Sequence, residues 1–294
     1  MPFKKELDLN SNRFLVSAKK FRLKDCNPDF TGRLTKRDAE KQLSTDVAKI
    51  RKLQNRLFSR GTHAVLIILQ GMDASGKDSA VKHVLWEVNP AGFDVNSFKS
   101  PTSEELDHDF LWRHVKALPR RGKIGVFNRS HYEEVVVVRV HPEFLEKQKI
   151  PSGLRKRNIW KRRFEQISNF EKFLTENGII VLKFFLHVSK EEQRKRFLER
   201  RHRPSKRWKF SLSDIKERRF WPKYMRAYES AISNTSTPWA PWYVIPADRK
   251  WFTRAVIADV IVKRLKALDL DYPSISREQR QEWEQAKKML KVKK

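Results

Sequence analysis

The fold can be inferred from the sequence Gly71-Met72-Asp73-Ala74-Ser75-Gly76-Lys77-Asp78. It matches the first seven positions of the phosphate-binding loop G-x-x-x-x-G-K-[ST] and departs from that pattern at the last one. The residues before it, 63–70, form an apolar run typical of a buried parallel strand. The residues after it, 79–88, place their apolar side chains on one helical face. Because this order of elements directs backbone N–H groups toward a phosphate, we predict a phosphate-binding loop that uses Gly71, Ala74, Ser75, Gly76, Lys77 and Asp78.

Two carboxylates accompany this loop. Asp78 stands where the motif has a Ser or Thr that holds Mg²⁺, and Asp73 lies inside the loop. Carboxylates repel a bound phosphate unless a divalent cation lies between them, and Mg²⁺ is typically held by one or two carboxylates plus phosphate oxygens. For Asp78 the alternative is a capping role at the helix N-terminus, where negative charge is favoured. For Asp73 we predict a role at the metal.

Composition narrows the class of partner. The 294 residues suffice for one substantial α/β core, and 64 Lys and Arg against 35 Asp and Glu give a formal charge of +29. Such a charge attracts polyanions, which include nucleic acid, an anionic membrane surface and a phosphate polymer. Cys26 is the only cysteine, which excludes a disulfide framework and a thiolate metal cluster.

The apolar segments indicate where the protein acts. The longest of them, near 65–69 and 135–138, are far too short to span a bilayer. The first residues mix basic and acidic side chains and do not form a basic and then apolar signal segment. We therefore expect a cytoplasmic protein with no membrane partner.

Strand and helix patterns alternate along the chain. Strands are predicted at 63–70, 93–98, 123–127, 179–186 and 242–245. Helices are predicted at 35–57, 79–88, 103–118, 158–177 and 252–268. This alternation predicts an α/β fold in which helices cover both faces of a parallel sheet. We divide the chain into a basic helical N-terminal arm (1–60), a central P-loop domain (61–270) and a basic C-terminal tail (271–294). Within that tail, we expect residues 287–294 to be solvated and partly frayed.

The end of the third strand supplies further polar groups. Arg129 directly follows that strand, and ligands bind at the carboxyl ends of strands in such sheets. A guanidinium can bind two phosphate oxygens at once. Asn128 occupies the place where many P-loop enzymes keep a metal-linked aspartate, and Glu133 follows shortly after. The alternative interpretation of Arg129 is a surface ion pair with Glu133.

A second basic feature is the run 194–209, which follows the fourth strand where nucleotide kinases place a lid. A charge run is usually a solvated face, and that interpretation stays open here. However, many like charges in one short segment repel each other, so a polyanion is the natural partner. We therefore predict a basic lid over about 190–225.

These motifs together resemble those of polyphosphate kinase family 2. The resemblance covers about residues 36–268 and rests on residues 71–78, Pro101-Thr102 with Glu104 or Glu105, Trp112-Arg113, residues 128–133 and the segment 200–214. It implies a three-layer α/β/α P-loop kinase fold similar to thymidylate kinase, with a helical basic lid. The implied reaction moves phosphate between inorganic polyphosphate and nucleotides with Mg²⁺, for which Mn²⁺ is the alternative.

Site roles follow from the same resemblance, position by position. It implies a catalytic set, a metal site and two groups of binding residues. The catalytic set is Asp73, Lys77, Asn128, Arg129 and Glu133, and the metal ligands are Asp73 and Asn128. Besides the loop, the polyphosphate contacts are Arg194, Arg200, Arg203, Lys206 and Arg207, and the nucleotide contacts are Lys99, Arg113, Arg129 and Glu133.

The pair Asn128 and Glu133 differs from the Asp and Asn of many family members. It resembles the subgroup that accepts both AMP and ADP, so we predict reversible formation of ADP and ATP. An Asn at position 128 weakens the assignment of this residue as a metal ligand, so we rank Asp73 above Asn128 as a candidate ligand. We expect a homo-oligomer, a dimer or tetramer, that acts on adenine nucleotides, with guanine nucleotides as a second candidate.

Two other functions are weighed against this one. An ATP-dependent nucleotide or small-molecule kinase would share the fold, but a charge of +29 is an odd excess for compact substrates. A nucleic-acid-binding protein is suggested by charge alone. The chain has no zinc spacing, aromatic RNA-binding motif or basic leucine zipper, and such a role would leave the P-loop without a purpose.

Overall fold

The structure, a computed structural model, describes residues 9–17, 21–155 and 158–290. The first eight residues of the predicted arm and residues 291–294 of the predicted tail lie outside the described part of the chain. Among the described residues, no helix has the length and apolarity that a membrane span requires.

The five described strands form one parallel sheet. They are β1 (Ala64–Gln70), β2 (Phe93–Ser97), β3 (Ile124–Asn128), β4 (Ile179–His187) and β5 (Trp242–Pro246). Their order is β2-β3-β1-β4-β5, so β1 lies in the centre and all seven of its residues are buried. The register sets Leu69 of β1 beside Asn128 of β3 and Phe184 of β4. The end of β1 therefore lies beside the end of β3, as ligand binding at this edge requires.

Twelve α-helices occur in the described residues and alternate with the strands. In chain order, α1 to α12 are Lys36–Arg60, Lys77–Val84, Ser103–Asp107, Trp112–Lys116, Val137–Val140, Glu143–Glu146, Ile159–Glu176, Lys190–His202, Leu212–Glu217, Trp221–Thr235, Lys250–Lys266 and Arg277–Met289. Helices α1, α2 and α11 pack together, and α5, α7 and α10 form a second group. The predicted parallel α/β fold is confirmed.

Helix α1 belongs to the core of the domain. It begins at a capping box in which Thr35 and Asp38 exchange hydrogen bonds, and it ends at Gly61. Its apolar face packs against α11, and Ile50 and Leu57 on that face are fully buried. Burial of this stripe stabilises α1 far more than helix propensity alone would.

Two terminal or surface segments differ from the expected pattern. The helix predicted over 103–118 is two short helices, α3 and α4, because the backbone is extended at His108 and the Asp109 carboxylate accepts the N–H of Leu111. A local Asp-to-backbone bond of this kind competes with helix continuation. In the predicted tail, α12 is a capped helix whose described residues are all exposed.

Candidate active site

The loop between β1 and α2 has the backbone of a phosphate-binding site. Gly71 and Gly76 have φ of +148° and +113°. A Cβ at Gly71 would lie 2.8 Å from the Leu186 carbonyl oxygen, so the close approach of β4 requires glycine there. Ala74 adopts a left-handed conformation at φ +61°, which is uncommon for a residue with a Cβ. The loop thus holds a strained shape of the kind that functional sites maintain.

Lys77, the first residue of α2, folds back into this loop. Its ammonium donates to the carbonyl oxygens of Gly71 at 2.7 Å and Met72 at 3.3 Å. Only 8% of the residue is exposed. Burial, and then the charge of Arg129, lowers the pKa of Lys77 to about 8, so the ammonium is charged at neutral pH. The loop therefore holds a fixed positive charge where phosphate would bind.

Asp73 and Arg129 form an ion pair between the ends of β1 and β3. The distance from Arg129 Nη2 to Asp73 Oδ1 is 2.7 Å. Arg129 has φ +63°, and its N–H donates to the Leu69 carbonyl oxygen at 3.1 Å. Burial alone would lower the pKa of Arg129, but the carboxylates of Glu133 and Asp73 raise it. Burial raises the pKa of Glu133, although Arg129 and Lys77 oppose that shift. Arg129 thus remains charged between two acidic groups.

Asp78 joins three parts of the site. Its Oδ1 accepts from Asn128 Nδ2 at 2.7 Å and its Oδ2 accepts from Lys209 Nζ at 3.0 Å. Burial alone would raise the pKa of Asp78, but these two hydrogen bonds lower it. The N-cap of α2 is Gly76, which has no side-chain cap. The Asp78 carboxylate connects the loop to β3 and to the basic run.

On one side of the Asp73–Arg129 pair lies a cavity of about 620 Å³, here called the basic cavity. Its described lining contains ten Lys or Arg residues and three acidic ones. The basic residues are Lys77, Lys82, Lys99, Arg129, Arg196, Arg200, Lys206, Lys209, Lys250 and Arg254, and the acidic ones are Asp73, Asp78 and Glu199. The excess of cations fits a strongly anionic ligand.

A second cavity, of about 490 Å³, also borders the Asp73–Arg129 pair and is here called the tyrosine cavity. Its walls combine Tyr224 and Tyr228 with apolar and acidic side chains. These include Val137, Val138, Phe144, Glu133, Asp214 and Glu217. Apolar and aromatic walls with a few polar groups are typical of small-molecule sites.

The two cavities meet at four residues, Asp73, Phe98, Lys99 and Arg129, which line both. Arg113 donates to the Lys99 carbonyl oxygen at 2.9 Å and so fixes the backbone at this junction. A ligand in either cavity would therefore border the Asp73–Arg129 pair. A third cavity of about 590 Å³ adjoins the tyrosine cavity at Arg113 but contains no residue of the P-loop.

The structure brings most of the predicted site residues to these two cavities. The basic cavity contains Asp73, Ala74, Gly76, Lys77, Asp78, Lys99, Asn128, Arg129, Arg200 and Lys206. The tyrosine cavity contains Gly71, Asp73, Lys99, Arg113, Arg129 and Glu133. Ser75 is buried within the loop and lines neither cavity.

Three predicted arginines lie outside both cavities. Arg194 pairs with Glu191 at 3.1 Å, and Arg203 pairs with Glu199 at 3.0 Å. Arg207 donates to the Arg201 carbonyl oxygen at 3.3 Å. Arg194 lies two residues from Arg196, so the helical period directs it away from the face that Arg196 and Arg200 share.

Arg196 is a site residue that sequence reasoning missed. Its guanidinium donates to the Ala74 and Ser75 carbonyl oxygens at 2.9 and 2.8 Å and to those of Ala247 and Asp248 at 2.6 and 3.0 Å. It is only 4% exposed. Because these bonds occupy two loop carbonyls, they favour the loop conformation that leaves the N–H groups for a ligand. The helical spacing of Arg196 and Arg200 was the available signal.

Lys250 and Arg254 of α11 were also missed, although both line the basic cavity. Burial lowers the pKa of Lys250, and neighbouring Arg196 is the next cause. Among the described residues, the Lys250 ammonium has no hydrogen-bond or ion-pair partner. Short-range sequence patterns could not indicate these two residues, because α11 begins more than a hundred positions after the loop it faces.

Comparison with known proteins agrees with this geometry. Residues 33–273 match the family Polyphosphate kinase 2 (PPK2). An ADP-polyphosphate phosphotransferase of Rhodopseudomonas palustris is 47% identical over 84% of this chain and 86% of its own length. An AMP/ADP-polyphosphate phosphotransferase of Meiothermus ruber is 44% identical over 86% of this chain and 92% of its own length. The crystal structure of polyphosphate kinase 2 from Arthrobacter aurescens TC1 superimposes with a TM-score of 0.83 at 37% identity, covering 92% of this chain and 94% of that one. The chain therefore belongs to the polyphosphate kinase 2 family.

Proposed function

We propose that this chain transfers phosphoryl groups reversibly from inorganic polyphosphate to AMP and ADP, giving ADP and ATP. As a member of its family it is a polyphosphate-dependent nucleotide kinase. The observation that carries the proposal is the junction of two cavities at Asp73, Lys99 and Arg129. The basic cavity suits a polyanionic donor, and the tyrosine cavity suits a nucleoside phosphate.

The chain's residues would position two anions rather than form a covalent intermediate. A phosphate oxygen of AMP or ADP attacks the terminal phosphorus of polyphosphate while the bridging P–O bond breaks, and its electron pair leaves with the shortened polymer. A phosphate monoester is already doubly ionised near neutral pH, since its second pKa is roughly 6, so the attack needs no strong base. Lys77 and Arg129 are placed to offset the charge on the transferred group.

Phosphotransferases of this family are generally metal-dependent, and the donor atoms here fit Mg²⁺. Asp73 offers a carboxylate at the junction of the cavities, and the side chain of Asn128 offers an amide oxygen in the basic cavity. Magnesium prefers such oxygen ligands and completes its shell with substrate phosphates and water. We assign Asp73 as the first ligand and Asn128 as the second, with Mn²⁺ as the alternative ion. When bound, the ion supplies positive charge that reduces repulsion between donor and acceptor.

The polymer would lie along the basic cavity between α2, the basic run and α11. Lys82, Lys99 and Lys250 line this cavity, and among the described residues their ammonium groups form no close ion pair. Lys206 and Lys209, in contrast, already pair with Glu199 and Asp78 at 2.9 and 3.0 Å. Uncompensated lysines gain most from a polyanion, so we place the donor path over Lys82 and Lys250. Arg194, Arg203 and Arg207 lie outside both cavities, and their contact with polyphosphate stays a prediction.

The double change Lys82→Ala/Lys250→Ala tests this path. We expect weaker polyphosphate binding and a salt dependence of log K shallower by about 1.4, since each contact with a flexible polyanion contributes about 0.7. The apparent affinity for AMP should stay within about twofold. Lys161→Ala, an exposed lysine paired with Glu165 on α7, is the matched control. An unchanged salt slope would move the donor path away from α2 and α11.

Chromatography of the nucleotide products tests the function itself. Pure protein with AMP, long-chain polyphosphate and Mg²⁺ should form ADP and then ATP, and EDTA should stop both steps. ATP from ADP without reaction of AMP would restrict the acceptor to ADP. Transfer from ATP but not from polyphosphate would identify an ATP-dependent kinase instead. Replacing AMP by GMP tests whether guanine nucleotides are accepted. The homo-oligomeric state and the cytoplasmic location stay predictions.

A further inference from the structure

A cluster of charged side chains lies inside the core, outside both cavities. Lys183 of β4 and Glu171 of α7 are fully buried, and their Nζ and Oε2 atoms are 2.5 Å apart. The Lys183 ammonium also donates to the Tyr132 hydroxyl at 2.9 Å and to the Thr235 carbonyl oxygen at 2.7 Å. All three of its N–H groups therefore have acceptors. These four residues are called the Lys183 cluster below.

Tyr132 connects the Lys183 cluster to the turn that supplies Glu133. The turn is a 3₁₀ helix, His131–Glu134, that directly follows Arg129 and Ser130. The Tyr132 hydroxyl donates to Glu171 Oε1 at 2.8 Å, and its ring packs edge-on against Trp242 at 4.7 Å. The phenol is thus held on several sides. Because a 3₁₀ turn has only about three residues, fixing Tyr132 also fixes the direction of its neighbour Glu133.

Thr235 connects the same cluster to α10. It is the last residue of that helix, and its carbonyl oxygen accepts from Lys183. Tyr224 and Tyr228 of α10 line the tyrosine cavity, as does Glu133. Lys183 therefore joins the two elements that supply Glu133 and the two tyrosines to one cavity, while it contributes no atom to that cavity.

Stability does not explain why these groups are charged. Burial alone would raise the pKa of Glu171, but Lys183 and His131 lower it, which favours the ionised carboxylate. Burial lowers the pKa of Lys183, although Glu171 opposes that shift. Removing two charges from water is costly, and apolar side chains of similar volume often stabilise a core equally well or better. What apolar side chains cannot provide is the directional bonding that holds the turn, the helix and the strand in one arrangement.

We propose that Lys183, Glu171 and Tyr132 are positioning residues that set the distance between the Glu133 turn and α10, and thereby the fit of the nucleotide acceptor. The inference rests on the proposed function, because it assumes that the acceptor is a nucleotide in the tyrosine cavity. It predicts a selective effect. The KM for AMP and ADP should depend on the Lys183 cluster, whereas the KM for polyphosphate should not.

Tyr132→Phe tests the inference with the smallest change, since it removes one hydroxyl and keeps the ring. We expect the KM for AMP and ADP to rise roughly tenfold, because small misplacements of a positioned group are costly. The KM for polyphosphate should stay within about twofold. Ile50→Val, a core truncation in α1, is the control for destabilisation alone and should move neither KM.

The double change Lys183→Met/Glu171→Met separates positioning from stability. We expect a protein that still folds, because removal of two buried charges offsets the loss of the bonds to Tyr132 and Thr235. The same selective rise in nucleotide KM should appear. If either variant folds and shows wild-type KM for both nucleotides, the inference is wrong. Failure of the proposed function would look different, since the wild-type protein itself would then transfer no phosphate from polyphosphate.

Discussion

Replacing Lys77 by methionine is expected to lower kcat by roughly two or more orders of magnitude. The Lys77 ammonium is held inside the loop by the Gly71 and Met72 carbonyl oxygens, so it is preorganised for a phosphate. Removal of one such charge stabiliser costs about 2.7–4 kcal/mol in the transition state. The measurement is steady-state turnover of ADP with saturating polyphosphate, compared with Lys161→Met as an exposed lysine control.

Stability should change in the opposite direction to activity. Because burial lowers the pKa of Lys77 to about 8 in the folded protein, well below the ordinary 10.5, protonation at pH 7 is less favourable in the folded state than in the unfolded one. The buried ammonium is therefore a cost to folding, and Lys77→Met should keep or raise the Tm. A stable variant with near-normal turnover would remove the P-loop from the mechanism.

Replacing Arg129 by alanine is expected to lower kcat by about three orders of magnitude. An arginine that stabilises the transferred phosphoryl group is worth about 10³–10⁵ in kcat, and Arg129 lies where the two cavities meet. Arg129→Lys should recover only part of the loss, because an ammonium cannot bind two oxygens in one plane. Neither change relieves the backbone at φ +63°, so both variants share that strain.

The comparison of the two Arg129 variants is the informative result. A lysine variant with wild-type kcat would show that charge alone matters at this position. If kcat of the alanine variant fell less than tenfold, the role of Arg129 would be limited to its ion pair with Asp73. In both cases the thermal unfolding curve is needed, since it shows whether the fold survives the loss of that ion pair.

Local sequence patterns predicted the framework of this protein well. Strand β1, the loop and α2 follow one another within about twenty residues, and each is specified by short-range apolar spacing and glycine. The same holds for β3 and the arginine that follows it, because the carboxyl ends of neighbouring parallel strands meet at one edge. Family resemblance then supplied roles that these patterns alone left open.

Long-range contacts were beyond such reasoning. Asp78 accepts hydrogen bonds from Asn128 and from Lys209, which lies 131 positions away in sequence. Arg196 crosses a similar distance to reach two loop carbonyls. Helical spacing places Arg196 on one face with Arg200, but neither partner can be read from the sequence, because each depends on how α8 and the basic run pack over the loop.

Two further differences between the predictions and the structure also depend on features that composition and apolar spacing do not specify. Composition predicted that the run 194–209 binds a polyanion but could not say which arginines face the cavity, since that depends on helix rotation. Arg200 lines the basic cavity, whereas Arg194 turns to Glu191. The prediction of one continuous helix over 103–118 was wrong. The Asp109 carboxylate accepts a hydrogen bond from the Leu111 N–H, and this local bond interrupts an otherwise suitable apolar pattern.

Initial-rate kinetics with polyphosphate and AMP both varied distinguish direct transfer between the substrates from transfer through the enzyme. If donor and acceptor occupy the two cavities together and meet at Asp73 and Arg129, double-reciprocal plots should intersect, because transfer requires both substrates bound at once. Parallel lines would indicate ping-pong kinetics, the signature of a covalent phosphoryl-enzyme intermediate. That result would contradict direct transfer between substrates in two cavities that meet at Asp73 and Arg129.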